Sequence, residues 1–296
     1  MTLPAMVSQS AGKVNRMGPF KRRRANVPPG AENPLNVAVA RRDADTLEMV
    51  REAVAHRQIL LAYQPVMRAS NPRKIAFYEG LVRVLDATSR VIPAREFMTQ
   101  VEDTDIGRQM DVQALRMGLQ SLRGNPGLRL SINMSARSIG YKAWNEVLQR
   151  HLKQDETIGE RLILEITEDS AMLVPELVVD IMDELQPHGV CFALDNYGSG
   201  NTAIRYFKDF YFDILKVDGQ FVRGIAKNPD NRAITAALLS VAGHFDMLTV
   251  AQSVESAEDA ALLTQMGVDC LQGYFYSAPT TQPSWLEQRR RRTRAG

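Results

Sequence analysis

Eight short apolar runs alternate with stretches of helical periodicity along this chain, and nearly every run is punctuated by a polar residue near its end. That alternation restricts the fold more than any other feature, because strands and helices in repeated order pack as a parallel sheet covered by helices. The runs are Ile59–Val66, Lys74–Val84, Leu128–Met134, Arg161–Ile166, Val190–Leu194, Phe212–Val217, Met247–Ala251 and Val268–Leu271. Helical patterns occupy the intervals: Asp43–Arg57 with Asp43 as cap, Pro93–Val101, Asp105–Leu122, Trp144–Leu152, Pro175–Leu185, Thr202–Phe207, Arg232–Phe245 and Ala257–Met266. Within 296 residues this fits an α/β fold closed as one (β/α)8 TIM-type barrel better than two separate domains. Alternation alone also allows an open doubly wound sheet.

The polar residues at the strand ends are Glu79, Asn133, Glu165, Asp195, Lys216, Gln252 and Gln272. In a closed barrel they converge on one mouth, the end where loops carry chemistry. The stretch Cys191–Gly200, CFALDNYGSG, shows the pattern most sharply: a buried strand breaks into Asp195-Asn196 and a loop with Gly198 and Gly200. Each carboxylate alone has a plainer reading as a helix cap or half of a structural ion pair. Several carboxylates buried together without a cation would cost several kcal/mol each, so their number argues for a metal. Hard oxygen donors without Cys or His suit Mg²⁺ or Mn²⁺, and a divalent metal beside a lysine is the apparatus of phosphoryl chemistry. Glu168 and Glu255 read as residues that hold loops, and Asp218 fits either role. The four histidines lie in or beside helices, which weakens any scheme built on them.

The overall charge of +2 is unevenly spread. Residues 1–42 carry eight Lys/Arg against Glu32, residues 282–296 carry five Arg against Glu287, and residues 43–281 are left at net −9. An acidic body with basic ends is not the profile of a nucleic-acid-binding domain, and no DNA-binding motif is present. Residues 1–42, with Lys21–Arg24 and several prolines, read as a flexible arm; 43–285 as the barrel; 286–296 as an Arg-rich tail. Cys191 and Cys270 sit in or beside apolar runs, as buried free thiols of a reducing compartment do. No signal peptide or membrane-span pattern is visible, so a cytoplasmic location is expected.

Eight ordered stretches then carry a resemblance: AYQPV at Ala62, EGL at Glu79, SINMSAR at Ser131, LEITED at Leu164, ALDNYGSG at Ala193, LKVDGQFV at Leu215, AQSVES at Ala251 and QGYFYSAP at Gln272. Over residues 45–285 the sequence resembles an EAL domain, the family that hydrolyses the bacterial second messenger cyclic di-GMP to linear pGpG. The resemblance implies a modified barrel whose first strand runs antiparallel to the rest. It implies that Glu79, Asn133, Glu165 and Asp195 hold one divalent metal, that Lys216 holds the attacking water, and that Gln272 lies beside a second metal. Gln64 and Arg83 would bind the dinucleotide, and Glu168 would steady the loop after Asp195.

Three positions depart from the family pattern. Gly80 replaces an alanine, Asn196 stands where a second aspartate would bind the second metal, and Gln252 stands where a glutamate is expected. Asn keeps a carbonyl oxygen but loses charge, and Gln keeps shape but cannot accept a proton. The resemblance therefore implies a cyclic di-GMP phosphodiesterase of reduced turnover, or alternatively an inactive member acting as a cyclic di-GMP receptor or protein-interaction module. No diguanylate cyclase signature or recognisable sensor domain precedes the barrel in this sequence. Regulation is expected to act through the basic ends, through a homodimer or through a protein partner, with an anionic membrane surface a second candidate for the ends.

Overall fold

The computed structural model of the protein describes residues 34–200 and 207–286. β1 (Ile59–Arg68) and β2 (Asn71–Leu85) form a long antiparallel hairpin that sets Gln64 opposite Glu79. β3 (Val91–Pro93) is a short strand on the outer edge of β2. From β2 onward each strand lies parallel to the next: β4 (Leu130–Asn133), β5 (Leu162–Thr167), β6 (Cys191–Tyr197), β7 (Ile214–Val217), β8 (Leu248–Ala251) and β9 (Cys270–Leu271). β9 then pairs antiparallel with β1 through Met67 and Arg68, which closes the ring. The result is the modified (β/α)8 barrel, with its first strand reversed, that the resemblance implied.

The helices are α1 (Pro34–Ala55), α2 (Met98–Val101), α3 (Asp105–Gly124), α4 (Lys142–Gln154), α5 (Glu168–Leu173), α6 (Pro175–Leu185), α7 (Gly219–Val222), α8 (Pro229–His244) and α9 (Ala257–Gln265). Their starts follow from capping chemistry. The Thr104 hydroxyl accepts from the Ile106 amide at 3.2 Å, the Asn228 side chain accepts from Asp230 and Asn231, and proline opens α6 and α8. Contacts group the chain into residues 1–42 and 43–296, and the barrel lies wholly in the second.

Two expectations are corrected here. α1 begins at Pro34, because a proline in the first turn followed by Leu-Asn-Val-Ala-Val-Ala is a competent helix start. Asp43 thus lies inside the helix rather than capping it, and it accepts from Gln100 Nε2 at 3.4 Å. β6 continues beyond Leu194 to Tyr197, so Asp195 and Asn196 belong to the strand. Residues 1–33, the arginines at 289–294 and the helix expected over Thr202–Phe207, apart from Phe207, lie outside the described residues.

Strand periodicity sorts the barrel into layers. On β6, Phe192 and Leu194 are buried in the large core, while Ala193 belongs to a smaller one with Phe77, Ile163, Ile214 and Val250. That smaller core is the apolar plug inside the barrel. Two residues further along their strands come Glu79, Glu165, Asp195, Lys216 and Gln252. Each large side chain in these cores contributes about 1.5–3 kcal/mol by leaving water. They form the stable floor under a polar mouth.

Candidate active site at the barrel mouth

Lys216 is the centre of the mouth and is fully buried. Its Nζ lies 2.5 Å from Glu165 Oε2, 3.1 Å from Asp195 Oδ1 and 3.2 Å from Glu79 Oε2. Amides complete the ring. Asn133 Nδ2 donates to Glu79 Oε1 at 3.0 Å, and Gln272 Nε2 donates to Glu79 Oε2 at 2.6 Å and to Gln64 Oε1 at 3.2 Å. Gln252 Nε2 donates to Asp195 Oδ1 at 2.7 Å, and Gln64 Nε2 donates to the Ser277 carbonyl at 3.0 Å.

Burial acts against every charge here, and the neighbours decide the outcome. Burial pulls the Lys216 ammonium down, but Asp195, Glu165 and Glu79 together hold it well above its ordinary value. Burial would raise Glu79, yet Lys216, Gln272 and Asn133 keep it below the usual carboxylate range. Glu165 is pushed up to about 8 by burial and by the charge of Glu79, against the pull of Lys216. Asp195 is raised by burial, with Lys216 opposing. One ammonium against three carboxylates leaves an excess of negative charge, and a proton on Glu165 relieves it.

Among the described residues no group of three or more His, Cys, Asp or Glu is arranged to hold a metal ion, since Lys216 occupies the space its three carboxylates surround. The donor set nonetheless fits a hard divalent cation. Glu165 Oε1 is buried without a hydrogen-bond partner, and the remaining donors are oxygens of Glu79, Asp195 and the Asn133 amide.

The loop after β6 is held from the far side. Glu168, at the start of α5, accepts from the amides of Gly198 at 2.9 Å and Gly200 at 3.1 Å through its Oε2. Asn196 sits at an irregularity in the β6–β7 ladder with φ of 57°, a left-handed conformation that asparagine tolerates. A Cβ at Gly80 would come 2.7 Å from Ile132 Cδ1, so glycine here matches the isoleucine packed against it.

A cavity of about 610 Å³ opens above this cluster, within the range of small-molecule sites. Gln64, Glu79, Asn196, Gln252 and Gln272 reach it as sequence reasoning expected, and Asp218 and Glu255 also line it. Asp218 caps α7, accepting from the Gln220 amide at 2.7 Å, and Glu255 pairs with Arg223 at 3.5 Å. Arg83 donates through its guanidinium to the Val82 carbonyl at 2.8 Å and stands near enough to Tyr274, Arg95 and Glu79 for their charges to act on it. Arg95, Arg223, Ser253 and Tyr274 were missed. Arg95 donates to the Tyr274 hydroxyl at 3.5 Å. Tyr274 stands inside the QGYFYSAP stretch, which is a usable signal, whereas Arg95 follows a strand outside the parallel ring and carries none.

The sequence profile described as the EAL domain matches residues 47–279. The chain belongs to the EAL domain family. This EAL domain is 29% identical over 246 residues to the signaling protein YkoW of Bacillus subtilis, covering 81% of this chain and 30% of that protein. It is 27% identical over 243 residues to the cyclic di-GMP phosphodiesterase PdeB of Shewanella oneidensis, covering 81% of this chain and 28% of that protein. The matched region thus spans under a third of these relatives. Among solved structures it resembles the MucR phosphodiesterase of Pseudomonas aeruginosa in complex with c-di-GMP, with a TM-score of 0.73, 26% identity, and coverage of 82% of this chain and 99% of that one. No helix among the described residues is long and apolar enough to cross a membrane.

Proposed function

We propose that the mouth binds cyclic di-GMP and hydrolyses it to the linear dinucleotide, at a turnover reduced by Asn196 and Gln252. The observation that carries this reading is Lys216 within 3.2 Å of three carboxylates, one of which has a buried, unpartnered oxygen. Glu79, Asn133, Glu165 and Asp195 are the residues that would hold Mg²⁺ or Mn²⁺. Such an ion supplies neutralising charge for a phosphodiester and a bound water of lowered pKa. Lys216 then orients water and offsets negative charge as it develops on phosphate oxygens.

The body carries net −9, so an anionic dinucleotide needs local cations, and Arg95 and Arg223 at the rim supply them beside Lys216. Gln64 contributes its amide, and Glu168 holds the loop of Gly198 and Gly200. Asn196 and Gln272 are the side chains that would face a second ion. Arg83 donates one guanidinium N–H to the Val82 carbonyl and has the others to offer the dinucleotide.

A receptor without turnover is the second reading, and the Gln252 amide favours it. Its donation at 2.7 Å to Asp195 Oδ1, an oxygen that Lys216 also contacts, ties up an atom a metal would need. Calorimetry with cyclic di-GMP in Ca²⁺, followed by chromatographic assay for linear product in Mn²⁺, separates the two. Heat plus slow product supports the phosphodiesterase, and heat without product supports the receptor. No heat at tens of micromolar protein overturns both.

A further inference from the structure

At the opposite end of the barrel from Lys216 lies a second cavity, of about 340 Å³. Its walls are the underside of the apolar plug, with Phe77, Ile163, Ile214 and Val250, together with Ala76 and Cys191. In a regular (β/α)8 barrel, layers of bulky branched side chains fill the interior. Here the next positions outward include Arg129, two residues before buried Ser131, Arg68, two residues after buried Val66, the small Cys191 and Leu248, which is 56% exposed. The arginines are exposed, so their stems edge the opening and leave the pit unfilled.

Arg161 at this rim is engaged by Asp155 and by the Thr157, Leu122 and Asn125 carbonyls, while two further pairs of opposite charge do not meet. Asp213 and Arg129 both act on the Cys191 thiol, and Asp269 and Arg68 both act on the Cys270 thiol. Yet no ion pair among the described residues joins either aspartate to its arginine. Asp213 Oδ2 accepts from the Phe192 amide at 2.7 Å, which fixes the carboxylate in place. Asp269 Oδ2 is held likewise by the Thr249 amide and hydroxyl at 2.8 and 2.7 Å. Burial keeps both thiols protonated, Cys270 up to about 11, so the pit is not a reactive-thiol site.

A ligand for this place needs an apolar body and both signs of charge. A fatty carboxylate would satisfy the arginines but leave its head facing Asp213 and Asp269, and a phosphate would also meet Glu160 on the same rim. We propose that the floor cavity binds a small apolar α-amino acid, its side chain against Ile163 and Ile214, its carboxylate on Arg129 and its ammonium on Asp213. The Arg129–Asp213 side is chosen because Asp213 is half-buried, where charge-assisted hydrogen bonds are stronger than at the exposed Asp269. The inference is independent of what the mouth does.

The test is calorimetric titration of the full chain with L-leucine, 4-methylpentanoate, which lacks the ammonium, and 3-methylbutylamine, which lacks the carboxylate. Saturable leucine binding with a Kd on the order of a millimolar or tighter is expected, and at least about tenfold weaker binding of each singly charged analogue. Arg129→Gln and Asp213→Asn should each weaken leucine by about tenfold; the asparagine keeps an acceptor for the Phe192 amide, so the strand start stays intact. Ala76→Phe, which fills the pit, should abolish binding in a protein whose thermal unfolding is otherwise unchanged. Absence of saturation with wild type at about 20 mM leucine overturns the proposal. So does 4-methylpentanoate binding as tightly as leucine, a comparison that needs no variant to fold.

Discussion

On one side of Lys216, β2, β4 and β5 bring in Glu79, Asn133 and Glu165 through an unbroken parallel ladder, and they leave a carboxylate oxygen without a partner. On the other side, β6 and the residue after β8 bring in Asp195, Asn196 and Gln252 where the ladder is irregular, and there Asp195 Oδ1 receives Gln252 and Lys216 much as Glu79 Oε2 receives Gln272 and Lys216 on the first. The first side keeps Glu165 Oε1 open to a cation, although both Glu79 oxygens already accept from amides. The second carries the amides of Asn196 and Gln252, and the Gln252 amide donates to one oxygen of Asp195. Whether such a mouth turns over or only binds depends less on how many oxygens surround it than on which are already hydrogen-bonded.

The largest effect expected is at the hinge between the two sides. Lys216→Met removes the ammonium that Glu79, Glu165 and Asp195 share, and leaving buried charge uncompensated costs about 3–5 kcal/mol. Urea unfolding of the metal-free protein should show that loss; a change below about 1 kcal/mol would mean that the carboxylates are not jointly dependent on this lysine.

Next comes the support beneath the first side. Asp111 accepts from the Ser138 hydroxyl at 2.6 Å and the Ser135 amide at 3.0 Å, which anchors the segment following Asn133. Burial raises its carboxyl from 3.8 to about 6, against those hydrogen bonds. A raised folded-state pKa means that its contribution is complete below about pH 4 and is lost as pH climbs through 6, by up to about 3 kcal/mol. Asp111→Asn should flatten stability between pH 4 and 6.5. An unchanged pH profile would separate Asp111 from the stability of that side.

A smaller effect distinguishes packing from chemistry. Gly80→Ala adds a Cβ that must displace the end of the Ile132 side chain, for about 1 kcal/mol of destabilisation. Adding Ile132→Val should recover most of it. If cyclic di-GMP binding changes while stability does not, the position serves the site rather than the core.

Much of this was legible in the sequence because strand periodicity and the chemistry of strand ends are local signals. Glu79, Glu165, Asp195 and Lys216 could be placed on one mouth before any coordinates, because a closed barrel leaves polar strand ends nowhere else to converge. The reversed β1 could not be read from spacing, since a hairpin through Asn71 and a crossover into the barrel are both compatible with Ile59–Val66 as a strand. Asp43 as a cap failed because propensity on its N-terminal side carried the helix on to Pro34. That Arg83 would donate to the carbonyl of Val82 is a choice among nearby acceptors, which spacing along the chain does not contain. The amide donation from Gln252 to Asp195 is a property of three-dimensional neighbours, one on β6 and one just after β8, two strands apart, and no linear pattern contains it.

The central claim, that amides on the second side weaken the hold on a divalent ion, is tested most directly by a Mn²⁺ binding isotherm for the wild type and for Asn196→Asp with Gln252→Glu. Two added carboxylates and the loss of the donor to Asp195 predict at least about tenfold tighter Mn²⁺ binding in the double variant. Superimposable isotherms from two folded proteins would contradict it.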